Sequence, residues 1–372
     1  MRKTKSIDPG KYPDEEFALY SIPAYDNGIP EKIFGRDIGS SKILLKDSDV
    51  VLSKIVPHIR RTWVITDGEK QIGSSEWIVF NDDRFDPQFI ANYLKSDVFH
   101  YQLLTTVAGV GGSLNRARPA AVAELKIPFP PLGEQKRIAE ILGGVSKAIQ
   151  KTKIQLLLVD ILKENKYLSL SKDADTFKSL KDLGVKKITG KSIVAKPDNE
   201  HDINQIIKVS AVSSGRFIAS ETKPLPADYE PNNLHEIHQG DLLFARASGS
   251  ANLLGACCIV DKEIQHLYLP DKIWKLEVDE DILPKVYLLQ ALRGREFRSV
   301  AESHFSSSTG VKNIKTSVLM EFKIPVLKQD QLNDYVHFVK TLDNLRHLLH
   351  RKLSLLQELQ KSLANRAFAG LL

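Results

Sequence analysis

Residues 126–170 read KIPFPPLGEQKRIAEILGGVSKAIQKTKIQLLLVDILKENKYLSL, and this stretch decides the fold. Pro128, Pro130 and Pro131 fix φ and remove backbone donors, so the chain runs extended through Phe129. Gly133-Glu134-Gln135 then opens a long helix. Its apolar positions, Ile138, Leu142, Val145, Ile149, Leu156 and Val159, step by fours and threes, with Thr152 as a polar break. That is the narrow seam of a coiled coil rather than the broad stripe of a globular helix. Such a helix needs a second one to bury against.

The far end of the chain supplies it. Lys126-Ile127-Pro128 returns as Lys323-Ile324-Pro325, 197 residues later, and Gln135 returns as Gln331, 196 residues later. A second amphipathic helix follows, with Leu332, Val336, Val339, Leu342, Leu345, Leu349, Leu353, Leu356 and Leu363 on one side and Gly370 as its stop. The match extends upstream. Asp49-Val50-Val51-Leu52-Ser53-Lys54 resembles Asp241-Leu242-Leu243-Phe244-Ala245-Arg246, an acid at a turn, an apolar strand, then a cation. Gly112-Ser113-Leu114-Asn115 resembles Thr309-Gly310-Val311-Lys312-Asn313, small residues leading to an asparagine. An internal repeat outranks local motifs in reading a fold. The expected class is α+β: two tandem mixed α/β modules separated by two long antiparallel coiled-coil helices. The expected boundaries are 1–130 for the first module, 131–171 for the central helix, 172–327 for the second module and 328–372 for the terminal helix.

Within the modules, Phe17–Pro23, Ile43–Leu52, Trp63–Thr66 and Trp77–Phe80 read as strands, and 88–101 as a helix. In the second module Ile206–Val212, Leu242–Ala245, Ala256–Val260 and Ile273–Val278 read as strands, and Pro284–Phe297 as a helix. Residues 177–188 have no clear counterpart before Phe17, so the first module starts late, its early strand absent or supplied by the short lead-in. Val107–Gly112 is a glycine loop, matched by Ser306–Gly310.

A formal charge of +6 and a pI near 9.0 favour a polyanionic partner. Cys257 and Cys258 sit adjacent in an apolar run and read as buried small hydrophobes of a reducing compartment. The charged N-terminus has no signal-peptide pattern, and no apolar run reaches membrane-spanning length. A cytoplasmic protein without membrane association is expected.

No active site can be assembled. Phe129-Pro130-Pro131 lacks the amide that an amino-methyltransferase tetrapeptide needs, and no phosphate-cradling loop with its lysine occurs. Gly109–Gly112 does not sit between a strand and a helix. His235 and His238 lack a carboxylate or thiol partner at a metal-ligand distance in sequence, and neither catalytic residues nor a metal site is expected.

The matched loops carry the informative residues. The first module offers Lys54, His58, Arg60 and Arg61, then Ser113, Asn115, Arg116 and Arg118. The second offers Arg246, Ser248 and Ser250, then Ser306, Ser307, Ser308, Thr309, Lys312, Asn313 and Lys315. Arginine reads guanine edges bidentately and asparagine reads adenine, while lysine and serine hold phosphates. Solvated loop residues would show the same types. Duplication places them at equivalent positions, which favours one shared ligand.

At this point the chain resembles the specificity subunits of type I restriction-modification systems. The resemblance rests on Ile127–Ala139 leading into a long helix, on Leu363–Gly370, and on Gly240–Arg246, and covers nearly the whole chain. It implies two target-recognition domains, each reading half of a bipartite site in double-stranded DNA. It implies two helices that pack antiparallel as a spacer and dock methyltransferase (modification) subunits, for which Glu134, Gln135, Arg137, Ile138 and Gln331 are the expected contacts. The partner would bind S-adenosylmethionine and methylate adenine, with no cofactor on this chain; a separate restriction subunit would translocate and cut DNA. The second proline run, Pro325–Gln331, departs from the pattern in lacking the repeated prolines and the Glu-Gln pair. Two other readings stay open on the residues alone. A coiled-coil adaptor would bind DNA weakly and without steep salt dependence. An enzyme with an unrecognised site would show turnover by the isolated chain.

Overall fold

The computed structural model describes residues 1–66, 68–108, 115–193, 204–226, 229–250, 253–304, 306–308 and 311–372. They gather into two compact units, Met1–Ile154 with Leu349–Leu372, and Gln155–Leu348. The long helices, Leu132–Lys172 and Gln329–Phe368, are therefore not bodies of their own, since each is shared between the units.

In the first unit Val50–Ser53 is the centre of a three-stranded antiparallel sheet, flanked by Thr62–Val64 and Trp77–Phe80. Side chains alternate across a strand. Val50 and Leu52 pack with Phe89, Tyr93 and Leu94 of the helix Pro87–Lys95, while Val51 packs on the other face with Tyr20, Leu45 and Ile65. Burial on both faces explains why this run is apolar throughout. A five-stranded sheet, ordered Ser6–Ile7, Lys42–Leu44, Gln71–Gly73, Glu16–Tyr20 and Glu31–Phe34, contains one parallel pair, Glu16–Tyr20 with Gln71–Gly73.

Two expectations change here, and one of the two alternatives for the lead-in is met. Ile43–Leu52 is two strands in different sheets, turned at Ser48 with φ of 64° and tied by Asp49. The helix expected over 88–101 breaks at Ser96, whose extended backbone and hydroxyl, accepting from Phe99 N at 3.2 Å, start a second helix, Asp97–Thr105. The lead-in contributes to the strand edge: Arg2 N donates to Val79 O at 2.7 Å. The homologous edge of the second unit carries the strand Lys186–Thr189.

The second unit repeats the plan. A four-stranded sheet runs Lys186–Thr189, Ile273–Glu277, Leu242–Ala245 and Cys257–Ile259, and a three-stranded one pairs Gln205–Ile207 antiparallel with Thr222–Pro224 and parallel with Leu267–Tyr268. The strand expected over Ile206–Val212 ends at Ile207 and gives way to the helical turn Ser210–Ser213. Gly294 divides the expected helix into Lys285–Arg293 and Arg295–His304.

Each unit closes its core with parts of both long helices. In the first, Ile138 and Leu142 join Ala367 and Phe368, and Gln360 Nε2 donates to Ser146 Oγ at 2.7 Å. In the second, Tyr167 and Tyr335 both pack on Tyr287, at 5.1 and 5.6 Å between ring centroids, and Lys163 pairs with Asp343 and Arg346 with Asp160. Numbers rise along one helix as they fall along its partner, so the pair is antiparallel. Thr152 is no break in the seam: it is fully buried, its hydroxyl donating to Ala148 O at 2.9 Å. Leu345, expected on the seam, is instead 43% exposed. No helix among the described residues is long and apolar enough to cross a membrane.

Candidate nucleic-acid interface

Asp49 and Asp241 start the site. Each carboxylate accepts from the backbone N–H three residues upstream, Lys46 at 3.0 Å and His238 at 2.9 Å, which pins the turn before the central strand. Asp49 is fully buried and also accepts from Arg2 Nε and Asn81 Nδ2, both at 2.9 Å. Asp241 has Lys275 Nζ at 3.6 Å.

The pinned strand then delivers a cation to its end, and a second basic segment pairs there. In the first unit Ala117 N donates to Lys54 O at 2.8 Å, Ile55 bridges Arg116, and Val56 N donates to Asn115 O at 3.3 Å. In the second unit Ile314 N donates to Arg246 O, again at 2.8 Å, while Ala247 pairs with Asn313 and Ser248 with Lys312. The same main-chain bond thus brings together, in each unit, two cationic segments remote in sequence. Arg118 and Lys315 follow, each opening a short helix, Pro119–Ala123 and Thr316–Met320.

The side chains divide into spent and outward groups. Arg60 donates to Asp97 Oδ1 at 2.7 Å and to Lys95 O at 3.2 Å, and its hydrogen bond holds the Asp97 carboxyl below its ordinary range. Arg61 grips Asp26 through two bonds of 2.8 Å, which lowers that carboxyl and raises the guanidinium. These two arginines brace the loop through their ion pairs. Arg246 Nε donates to Asp271 O at 2.8 Å with its guanidinium 5.8 Å from the Trp274 ring centre, so it too is held within the unit. Ser248 is buried, and its hydroxyl accepts from Ser250 N at 3.2 Å. Arg118 donates to Thr106 O at 3.2 Å. Arg116, 3.3 Å from Glu76, keeps an exposed side chain. His58, Ser250 and Lys315 are exposed and Lys54 half-buried. Asn115, Lys312 and Asn313 are half-buried and engaged within the chain. Ser113, Thr309 and most of the glycine loop (109–112) lie outside the described residues, as do the side chains of Ser306, Ser307 and Ser308.

Two of the expected partner contacts face inward. Gln135 is fully buried: its Oε1 accepts from Asp86 N at 2.8 Å, and its Nε2 donates to Pro130 O at 2.9 Å and Arg84 O at 3.1 Å. Ile138 is 3% exposed in the core. They lock the helix to its own unit and leave nothing for a partner to touch. Gln331 is half-buried and accepts from Lys328 N at 3.1 Å. Half-buried Glu134 and exposed Arg137 form a pair one turn apart, the arginine lowering the carboxyl. The long helices also expose apolar side chains, all but Leu345 outside the expected seam. Leu157, Leu158, Ile161 and Leu162 make an exposed stripe, and Leu345 and Leu348 are exposed on the other helix. A run of apolar residues on both sides of the seam positions was the signal in sequence.

Among the described residues no group of three or more His, Cys, Asp or Glu side chains could hold a metal ion. His238 is occupied by Glu263, 3.1 Å away. Burial pushes the Cys258 thiol up to about 12 and raises Cys257, so neither forms a thiolate near neutral pH.

Comparison with known proteins places this geometry. Residues 40–158 match the family model described as the type I restriction modification DNA specificity domain. The chain is 25% identical over 307 residues to the EcoKI specificity subunit of Escherichia coli K12, covering 76% of this chain and 65% of that protein. It is 25% identical over 306 residues to the StySPI specificity subunit of Salmonella potsdam, with the same coverage. The matches thus span 65% of these relatives' length, just under two thirds. Among solved structures, the type I restriction-modification S subunit from M. genitalium superposes with a TM-score of 0.56 at 12% identity, over 98% of this chain and 93% of that one. A chain from a study of complex assembly and conformational transition in a type I system gives 0.57 at 17% identity, over 100% and 96%.

Proposed function

We propose that this chain, which belongs to the family of type I restriction-modification specificity subunits, is the DNA-reading component of such a system. Each unit reads half of a bipartite site in double-stranded DNA. One observation carries this reading: the repeated backbone bond, Ala117 to Lys54 and Ile314 to Arg246, that joins two basic segments in each unit. A duplicated cationic surface suits a ligand that repeats along its length, and a positive chain of +6 suits its phosphates. Joining two weak readers makes the second contact intramolecular.

The helices, 41 and 40 residues long, correspond to about 60 Å at about 1.5 Å per residue. In this reading their length sets how many unread base pairs separate the half-sites, and their exposed leucines dock methyltransferase subunits. The chain carries out no chemistry itself. Adenine methylation and S-adenosylmethionine belong to the docked subunits, and DNA cleavage, where a system performs it, to a restriction subunit. This work takes place in the cytoplasm.

A genome-wide methylation map of host cells with and without this gene tests the proposal. Loss of methyl groups from one split motif with a fixed gap is the expected result. An unchanged map in cells with an active modification subunit would refute it.

A further inference from the structure

The loop after the first unit's central strand is held in a costly shape. Val56 (φ 48°) and Arg60 (φ 57°) both occupy the left-handed region, on either side of the 3-10 turn Pro57–Ile59. A β-branched residue there is a conformational outlier, and such backbone persists only where its surroundings over-determine it.

They do so here. Ser53 Oγ donates to Ile55 O at 2.9 Å, and Val56 N to Asn115 O at 3.3 Å. Inside the turn, Ile59 N donates to Val56 O at 3.0 Å and Arg60 N to Pro57 O at 3.1 Å. The Pro57 ring is buried, Arg60 is tied to Asp97 and Lys95, and Arg61 to Asp26. This frame leaves two side chains outside, His58 and Ile59, the latter 46% exposed. The loop spends its arginines on rigidity and holds a branched aliphatic outward, three residues beyond the bond from Val56 N to Asn115 O. In the second unit the residues just beyond Ala247–Ser248 are the exposed Gly249 and Ser250.

We propose that Ile59 is a specificity-determining residue that packs against the 5-methyl group of a thymine in the half-site read by the first unit, with His58 hydrogen-bonding beside it. The proposal rests on the DNA-reading function above. Apolar contact with the thymine methyl discriminates bases in the major groove, and a backbone already braced in place lowers the ordering cost of that contact.

The test uses the full chain assembled with its modification subunits and a duplex of the motif taken from the methylation map. Each thymine of the split motif is replaced in turn by deoxyuridine, which removes only the methyl group. Wild type is expected to lose about fourfold in affinity at one position of one half-site, the loss expected for one buried carbon. Ile59→Ala should bind the thymine duplex about fourfold more weakly, be indifferent to deoxyuridine at that position, and keep its sensitivity elsewhere. Wild-type indifference at every thymine, or an Ile59→Ala complex that keeps the same sensitivity, overturns the proposal. Absence of any specific binding by the wild-type complex would instead overturn the DNA-reading function.

Discussion

Gln135→Leu is the sharpest probe of how the first long helix is fixed to its unit. Leucine keeps the volume of the side chain, so the change removes three hydrogen bonds without opening a cavity. Asp86 N, Arg84 O and Pro130 O all lose their partner, at a site with no solvent exposure. A typical hydrogen bond is worth about 1 kcal/mol net, and a stranded buried donor costs about 1–3 kcal/mol. The Asp86 N–H bears the full penalty, while the two carbonyls lose one bond each, so the total comes to about 3–5 kcal/mol. Gln331→Leu removes only the bond from Lys328 N at a half-buried position, and about 1 kcal/mol is expected. Urea unfolding of both variants, followed by circular dichroism with tryptophan fluorescence as a second probe, measures the contrast. Trp63 and Trp77 report the first unit and Trp274 the second. Equal losses for the two variants, or a loss below about 1 kcal/mol for Gln135→Leu, would refute the assignment of Gln135 as the lock.

Adding seven residues within Ile149–Val159, with a matching addition on the antiparallel helix, keeps the seam in phase and lengthens the pair by about 10 Å. The methylated motif should then gain about three unread base pairs, at about 3.4 Å each, with both half-sites unchanged; an unaltered gap would sink the spacer reading. Leu157→Glu with Ile161→Glu places charge on the exposed stripe, and co-purification with the modification subunit should be lost while far-ultraviolet circular dichroism stays at the wild-type level. His100 is buried, its Nδ1 has no hydrogen-bond partner among the described residues, and burial first, then Arg60, lowers its pKa. The unfolded chain therefore binds the proton first as pH drops. Stability is fully present above the ordinary histidine value of about 6.5 and falls as pH moves through the lower folded value. His100→Phe should flatten the stability profile across that window, measured by thermal unfolding from pH 7.5 to 5. The Asp97 carboxyl, lowered by Arg60, gives the same sign at lower pH: its contribution is present above about 4 and lost below, so Asp97→Asn should lower stability at neutral pH and converge with wild type in acid.

The sequence by itself determined the duplication, the class of the fold and the two long helices. Coiled-coil periodicity and proline stops are local chemical facts that survive without knowledge of neighbours, and the 197-residue repeat shows in the letters Lys-Ile-Pro. It also located the two basic segments in each module. What only the tertiary structure decided was which of those residues are free. Arg60, Arg61 and Arg246 stand out in sequence as arginines of the basic segments, and only the fold shows that each is engaged by a carboxylate or carbonyl of its own unit. Gln135 and Ile138 looked like surface contacts because they stand in a motif, and they are core. The breaks at Ser96 and Gly294 were equally hidden, because a helix crossing two faces of one core keeps an apolar pattern on both sides of the corner. Periodicity reports that a face is buried. Whether a polar group is spent or available depends on partners remote in sequence, and those exist only once the chain has folded.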